Sequence, residues 1–255
     1  LGVPAVNTYM ACGTHPLSWT TLKAYAKAQS RCGYWSIESG PGGTPVTFKD
    51  TYGSGKRPMR HEVPKIEDLL PAKRPDIMVV QLGNNLFDLL KGKAANGNGA
   101  VLDAFIKPFL LKVAESGIPV RRIFWVAPPV CGSVSPRSQD ILVQKLHDCA
   151  GPGMRVIDSR ELIAYPYSGL QPDRQHFAGN DMQTWADNVY AIISEDLAGS
   201  ASGGSEALVA SGAEAVSSGD DGAHTLIVEC VLERAGVPYR HEEIAPYKES
   251  LVAFV

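Results

Sequence analysis

The sequence predicts an α/β protein, a doubly wound parallel sheet of five strands with helices on both faces. Three observations carry that expectation. Short apolar and β-branched runs alternate with segments of helical periodicity through residues 5–198, which is how βαβ units are built. The run Asp76-Ile77-Met78-Val79-Val80-Gln81-Leu82 reads as a strand between polar flanks. Turn-forming residues follow the strands, and in such sheets ligands bind beyond the carboxyl ends of strands, where Ala11, Asn85 and the loop after Val130 would lie.

Taken in order, residues 5–11 read as the first strand, followed by the turn Gly13-Thr14-His15-Pro16. A helix is expected over about 18–29, with Trp19, Leu22, Tyr25 and Ala26 on its apolar side. Gly33 to Ile37 reads as a short strand. Residues 39–63 are rich in Gly, Pro, Thr and Lys and have little periodicity, as a long functional surface loop would. After the strand at 76–82 come a helix at 100–116, the strand Arg122-Ile123-Phe124-Trp125-Val126-Ala127, a helix at 137–148, the strand Met154-Arg155-Val156-Ile157 and a helix at 180–198. Residues 199–222 have Gly/Ser linker composition with an apolar interruption at Ala207–Ala210. Beyond them, Thr225 to Ala235 suits an amphipathic helix closed by Gly236. The apolar stretch Ser250 to Val255 suggests that 223–255 is a C-terminal extension or a fragment of a second unit. The expected division is therefore 1–198, 199–222 and 223–255.

With 255 residues, 44% of them apolar and 20% charged, the chain can bury one substantial core. Lys and Arg outnumber acids 21 to 18 in residues 1–198, whereas 199–255 hold nine acids and three bases, and no basic stripe argues for nucleic acid. No stretch approaches the roughly 20 uninterrupted apolar residues of a membrane span. The first residue is Leu1 and no secretory leader is evident, so a processed or trimmed N-terminus is expected. Of five cysteines, Cys12 and Cys32 bracket the first helical pattern, Cys131 and Cys149 bracket another, and Cys230 is left over. Two local disulfides fit this arrangement and would place the protein outside the cytosol, secreted or periplasmic. Buried thiols are the other reading. No Cys-x-x-Cys or nearby ligand-spaced His supports a metal, and Cys230, without a cationic neighbour, reads as a core thiol.

Two stretches ninety residues apart carry the chemistry. In Pro172-Asp173-Arg174-Gln175-His176-Phe177, Asp173 stands three residues before His176. A carboxylate there can fix the imidazole tautomer and stabilise the imidazolium formed when His176 takes a proton. In Leu82-Gly83-Asn84-Asn85, Asn85 follows a strand and can aim a side-chain N–H at a developing oxyanion. Each has a plainer reading, a loop ion pair or helix cap for the first and a turn for the second.

Together the stretches resemble the Gly-x-Asn-Asp and Asp-x-x-His blocks of the SGNH (GDSL-like) hydrolases, with Leu86 in place of the second acidic position. The resemblance covers residues 5–198 and implies a flavodoxin-like sheet, a serine-type acyl-enzyme mechanism and no cofactor. The family's nucleophilic Ser follows the first strand, where this chain reads Tyr9-Met10-Ala11-Cys12-Gly13-Thr14-His15-Pro16. Laid beside divergent members that read Gly-Ser-Cys-Gly-Ser-Ser-Pro, Ala11 falls on the first Ser and Thr14 on the second. Either Ala11 replaces the nucleophile, or Thr14 attacks despite its β-methyl group, or Ser18 reaches in. Cys12 fits a disulfide better than a nucleophile, and His15 before Pro reads as structural more readily than as acid or base.

The resemblance implies oxyanion donors from the nucleophile's own N–H, Asn85 and a glycine after the second strand, for which Gly40 is the candidate. It also implies a secreted carboxylic-ester hydrolase that removes short acyl groups from carbohydrate or cell-wall glycan. An O-acyltransferase would use the same site, and a catalytically dead SGNH fold would serve as a glycan-binding or assembly module. Trp19, Tyr34, Trp35, Tyr52 and Trp125 are either core or sugar-stacking residues. No Gly-x-Gly-x-x-Gly or complete phosphate loop occurs, and Gly53-Ser54-Gly55-Lys56 reads as a flexible turn.

Overall fold

The structure, a computed structural model, describes residues 5–30, 34–39, 45–50, 61–90, 99–172, 174–202 and 224–229. Strands β1 (Ala5–Ala11), β2 (Tyr34–Ser39), β3 (Pro45–Asp50), β4 (Ile77–Gln81), β5 (Arg122–Val126), β6 (Met154–Ile157) and β7 (His224–Glu229) are accompanied by helices α1 (Ile66–Lys73), α2 (Ala100–Glu115), α3 (Pro136–Cys149) and α4 (Asn180–Ser202). In β4, β5 and β6 the strands run parallel, Val80 opposite Trp125 and Val126 opposite Ile157.

Alternation along these strands sorts the core into two layers, because successive side chains point to opposite faces. Met78, Val80 and Trp125 pack with Ile66 and Leu70 of α1, Leu102, Ile106, Phe109 and Val113 of α2, and Leu142 and Leu146 of α3. Ile77, Val79, Phe124, Val126 and Ile157 pack with Trp185, Val189 and Ile193 of α4. The parallel strands are thus covered by helices on both faces, as the sequence predicts. The four buried residues of α2 recur at helical spacing, and Phe109 meets Trp125 edge-on at 5.7 Å between ring centroids. Burying each such side chain contributes about 1.5–3 kcal/mol. Ser135 starts α3 by accepting a hydrogen bond from Ser138 N at 3.1 Å, with Pro136 pre-set in the first turn.

The sheet differs from five parallel strands. Its order is β3-β2-β1-β7-β4-β5-β6, and β2 runs antiparallel to both β1 and β3. A parallel return from β1 to β2 needs a crossover, usually a helix, and the helix expected over 18–29 does not form. Only a 3-10 turn, Pro16–Trp19, is present, followed by turns. Long-range partners take the helix-forming groups: Lys65 Nζ donates to Ser18 O at 2.9 Å and Tyr25 O at 3.0 Å, and Glu67 Oε1 accepts from Thr21 N at 3.0 Å. The chain then re-enters the sheet from the edge at which β1 ended.

Strand β3 falls in the segment expected to be loop, at the edge of the sheet with Pro45 at its start, a position that tolerates a missing N–H. Helix α1 was not foreseen either, since Pro71 inside it obscures the pattern, although Glu67 and Asp68 fit a helix first turn. At 225–235 the expected helix gives way over its first residues to β7, parallel to β1 and β4. Thr225, Ile227 and Val228 are β-branched and favour an extended backbone. Helix α4 continues to Ser202, while the rest of the expected linker and residues 230–255 lie outside the described residues. No helix among the described residues is long and apolar enough to cross a membrane.

Candidate active site

Three turns follow one another along the carboxyl ends of β1, β4 and β5. The first is Cys12-Gly13-Thr14. Thr14, 1% exposed, donates its hydroxyl to Ala11 O at 2.7 Å and accepts from Trp19 Nε1 at 3.1 Å. Ala11 is fully buried among the residues of the α1–α2–α3 layer.

From the second turn, Asn85 Nδ2 donates to Thr14 O at 2.8 Å, joining positions 71 residues apart. Leu86 N closes this turn on Gly83 O at 2.9 Å, and the Leu86 side chain is fully buried in the core. Leu86 thus faces the interior. Gly83 must lack a side chain, because a Cβ there would lie 2.5 Å from Cδ and Cγ of Pro128. That contact braces the Asn85 turn against the chain leaving β5.

The third turn, Cys131-Gly132, holds the loop of His176. Gly132 N donates to Arg174 O at 2.9 Å, Arg174 N to Gln171 O at 2.9 Å, and Gln171 N to His176 O at 2.7 Å. Gln139 of α3 fixes Cys131 from both sides, Oε1 accepting from Cys131 N at 3.0 Å and Nε2 donating to Cys131 O at 3.1 Å. The β6 end is tied in by Ser159 Oγ donating to Ala127 O at 2.6 Å. His176 therefore belongs to a loop anchored at β5, while Asn85 is anchored at β1. Both lie beyond the carboxyl ends of these strands, where a ligand is expected.

Asp173 and Gly40 lie outside the described residues. Ser39, which precedes Gly40, ends the antiparallel β2 at the edge opposite Ala11, since Glu38 pairs with Asn7 and Tyr34 with Ala11. Ser18 is 6% exposed, its Oγ accepting from His15 N at 3.3 Å and lying 3.5 Å from His15 Nδ1. The His15 ring is framed edge-on by Tyr25 and Phe105, with centroids at 5.1 and 4.9 Å. Trp19 and Trp125 are fully buried and so are core, whereas Tyr34 stacks on His61 at 6.0 Å. Trp35's side chain and Tyr52 lie outside the described residues, as does Gly53-Ser54-Gly55-Lys56.

Cys12 is disulfide-bonded, and its expected partner Cys32 lies outside the described residues. Cys131 and Cys149 are free thiols, which corrects the second expected bridge. Cys149 is the last residue of α3, whose 14 residues begin shortly after Cys131. A helix of that length spans about 21 Å, whereas a disulfide needs Cα atoms within about 7 Å. Instead Cys131 Sγ lies 3.1 Å from Ser133 Oγ and 3.8 Å from Gln175 Oε1, and Cys149 Sγ lies 3.8 Å from Asp103 Oδ1. Burial, then the Asp103 charge, pushes the Cys149 thiol above its ordinary pKa.

No group of three or more His, Cys, Asp or Glu among the described residues could hold a metal ion. No family model, curated protein or solved structure matches the chain. Gly83 is part of the Gly-x-Asn stretch read from sequence, whereas Gly132 and the side chains of Gln139, Tyr165 and Pro128 are not singled out there. For Pro128 and Gly132 the signal in the sequence is the clustering of Pro, Cys, Gly and Ser in 128–136 directly after a strand.

Proposed function

We propose that this chain is an SGNH-type module built to act on carboxylic esters of carbohydrate or cell-wall glycan, with Ala11 standing where the nucleophilic serine belongs. The observation that carries this reading is the hydrogen bond from Asn85 to Thr14 O. It joins the Asn85 stretch to the turn after β1, where the resemblance looks for the nucleophile. In the active form, His176 would take the proton of a serine hydroxyl at position 11 as the oxygen attacked the ester carbonyl, and Asp173 would stabilise the imidazolium. The backbone N–H at position 11 and the Asn85 amide would hold the oxyanion, the ester C–O bond would break as His176 returned the proton to the departing sugar hydroxyl, and water activated by His176 would then hydrolyse the acyl-serine.

Thr14 is a poor substitute nucleophile, because its hydroxyl proton is already given to Ala11 O in a buried setting. The substrate class comes from the resemblance. A secreted or periplasmic location is supported by the disulfide at Cys12. A second reading, a catalytically inert glycan-binding or assembly module, is favoured by the same burial of Ala11. Hydrolysis of p-nitrophenyl acetate by Ala11→Ser, with His176→Ala as control, separates the two. The hydrolase reading expects turnover that depends on both residues, and the inert module expects none.

A further inference from the structure

The loop that carries His176 also presents Arg174, and in a costly way. Arg174 has φ 60°, in the left-handed region that L side chains rarely adopt. A glycine would hold the same turn and the same hydrogen bonds to Gln171 O and Gly132 N without strain. What arginine adds there is its side chain.

That side chain lies over Gly132. A Cβ on Gly132 would clash with Tyr165 Oη, come within 2.7 Å of Tyr165 Cζ and lie 3.3 Å from Arg174 Nε. A phenol and a guanidinium therefore share the space above one bare Cα, and any side chain at 132 would fill it. Tyr165 is half-buried and set edge-on to Tyr167 at 5.2 Å, whereas Arg174 is exposed. Among the described residues neither the Tyr165 hydroxyl nor the Arg174 guanidinium has a hydrogen-bond or ion-pair partner. Several other cations among the described residues are paired: Arg160 with Asp158 and Asp140, Arg155 with Asp196, Lys145 with Asp103.

We propose that Arg174 and Tyr165 form a carboxylate-binding site, with Gly132 as its floor, and that the ligand it selects is a uronate-containing, acylated glycan. A planar guanidinium matches the two coplanar oxygens of a carboxylate, and the phenol O–H supplies a further donor. Its place on the His176 loop puts an anchored uronate beside the proposed catalytic residues. The site rests on the ester-hydrolase reading only for the kind of molecule that bears the carboxylate.

Calorimetric titration of the chain as it stands tests this without turnover. Three probes are used: an O-acetylated oligogalacturonide, a neutral O-acetylated xylo-oligosaccharide and glucose 6-phosphate. The acidic oligomer should bind at least tenfold more tightly than the neutral one. Arg174→Gln should remove that preference, Tyr165→Phe should reduce it, and Arg174→Lys should retain part of it. The thermal transition of each variant is recorded to establish that it folds. Equal affinity for acidic and neutral oligomers, or a preference that survives Arg174→Gln, overturns the site, and preferential binding of glucose 6-phosphate overturns its assignment to carboxylate. An acid preference lost in Arg174→Gln, beside an Ala11→Ser variant that hydrolyses nothing, retains the site and rejects the esterase.

Discussion

Asn85 donates its side-chain N–H to the carbonyl of Thr14 at 2.8 Å, so the turn after β4 is fastened to the turn after β1. A net protein hydrogen bond contributes about 0.5–1.5 kcal/mol, and an orphaned buried carbonyl costs more. Asn85→Ala should lower stability by about 1–2 kcal/mol while the chain still folds, as read from the urea midpoint. In an active Ala11→Ser background, the same change should also slow hydrolysis by about 100–1,000-fold.

Gly83 is the brace behind that turn. Its Cβ position is occupied by the rigid Pro128 ring, 2.5 Å away, so Gly83→Ala must move either the turn or the ring. Overpacking of this kind costs about 1–3 kcal/mol. Thermal unfolding should show the loss, and Pro128→Ala in the same chain should recover part of it.

Alkylation under denaturing conditions without reductant should modify Cys131 and Cys149 fully and leave Cys12 unmodified until a reductant is added. Peptide mass mapping reads all three at once. A Cys131–Cys149 disulfide peptide would contradict the geometry of α3.

Asp158 sets an acid limb to stability. Burial alone would raise its pKa, but hydrogen bonds from the Arg160 guanidinium and backbone N–H, with the Arg160 charge, carry it below the ordinary 3.8. A carboxylate whose folded pKa is depressed contributes stability that is present above the unfolded value and lost as pH falls through the folded one. Wild-type stability should therefore drop below about pH 4 in part through this group. Asp158→Asn should be less stable at pH 7, and the gap should narrow as the pH is lowered, as followed by urea midpoints.

The elements buried on both faces were legible from sequence. Strands β4, β5 and β6 and helices α2, α3 and α4 lie within a few residues of expectation, because long apolar periodicity reports burial directly. Strand β1 and, to within two residues, β2 were legible as well, but β3, α1 and the stretch between β1 and β2 were not. There Lys65 and Glu67, some forty residues downstream, capture backbone and hydroxyl groups of 18–25 and replace a helix with turns. Local periodicity cannot register partners at that separation. The second bridge failed for the opposite reason: Cys131 and Cys149 flank a helix the sequence does predict, and a formed helix holds its ends apart. Of the site, Asn85 and His176 were visible as chemistry-bearing residues in motif spacing. Gly132 and Tyr165 were not, and Gly83 was visible in its turn but not as the brace against Pro128, since these parts are defined by what stands opposite in space.

The central claim is that position 11 is a nucleophile's place served by His176. Treatment of Ala11→Ser with a fluorophosphonate, followed by intact-mass and peptide mapping, tests it most directly. A single adduct at position 11 that is absent from the unsubstituted chain and from Ala11→Ser/His176→Ala is the expected result. Absence of an adduct at position 11 in folded protein, or labelling there that is indifferent to His176, would contradict it.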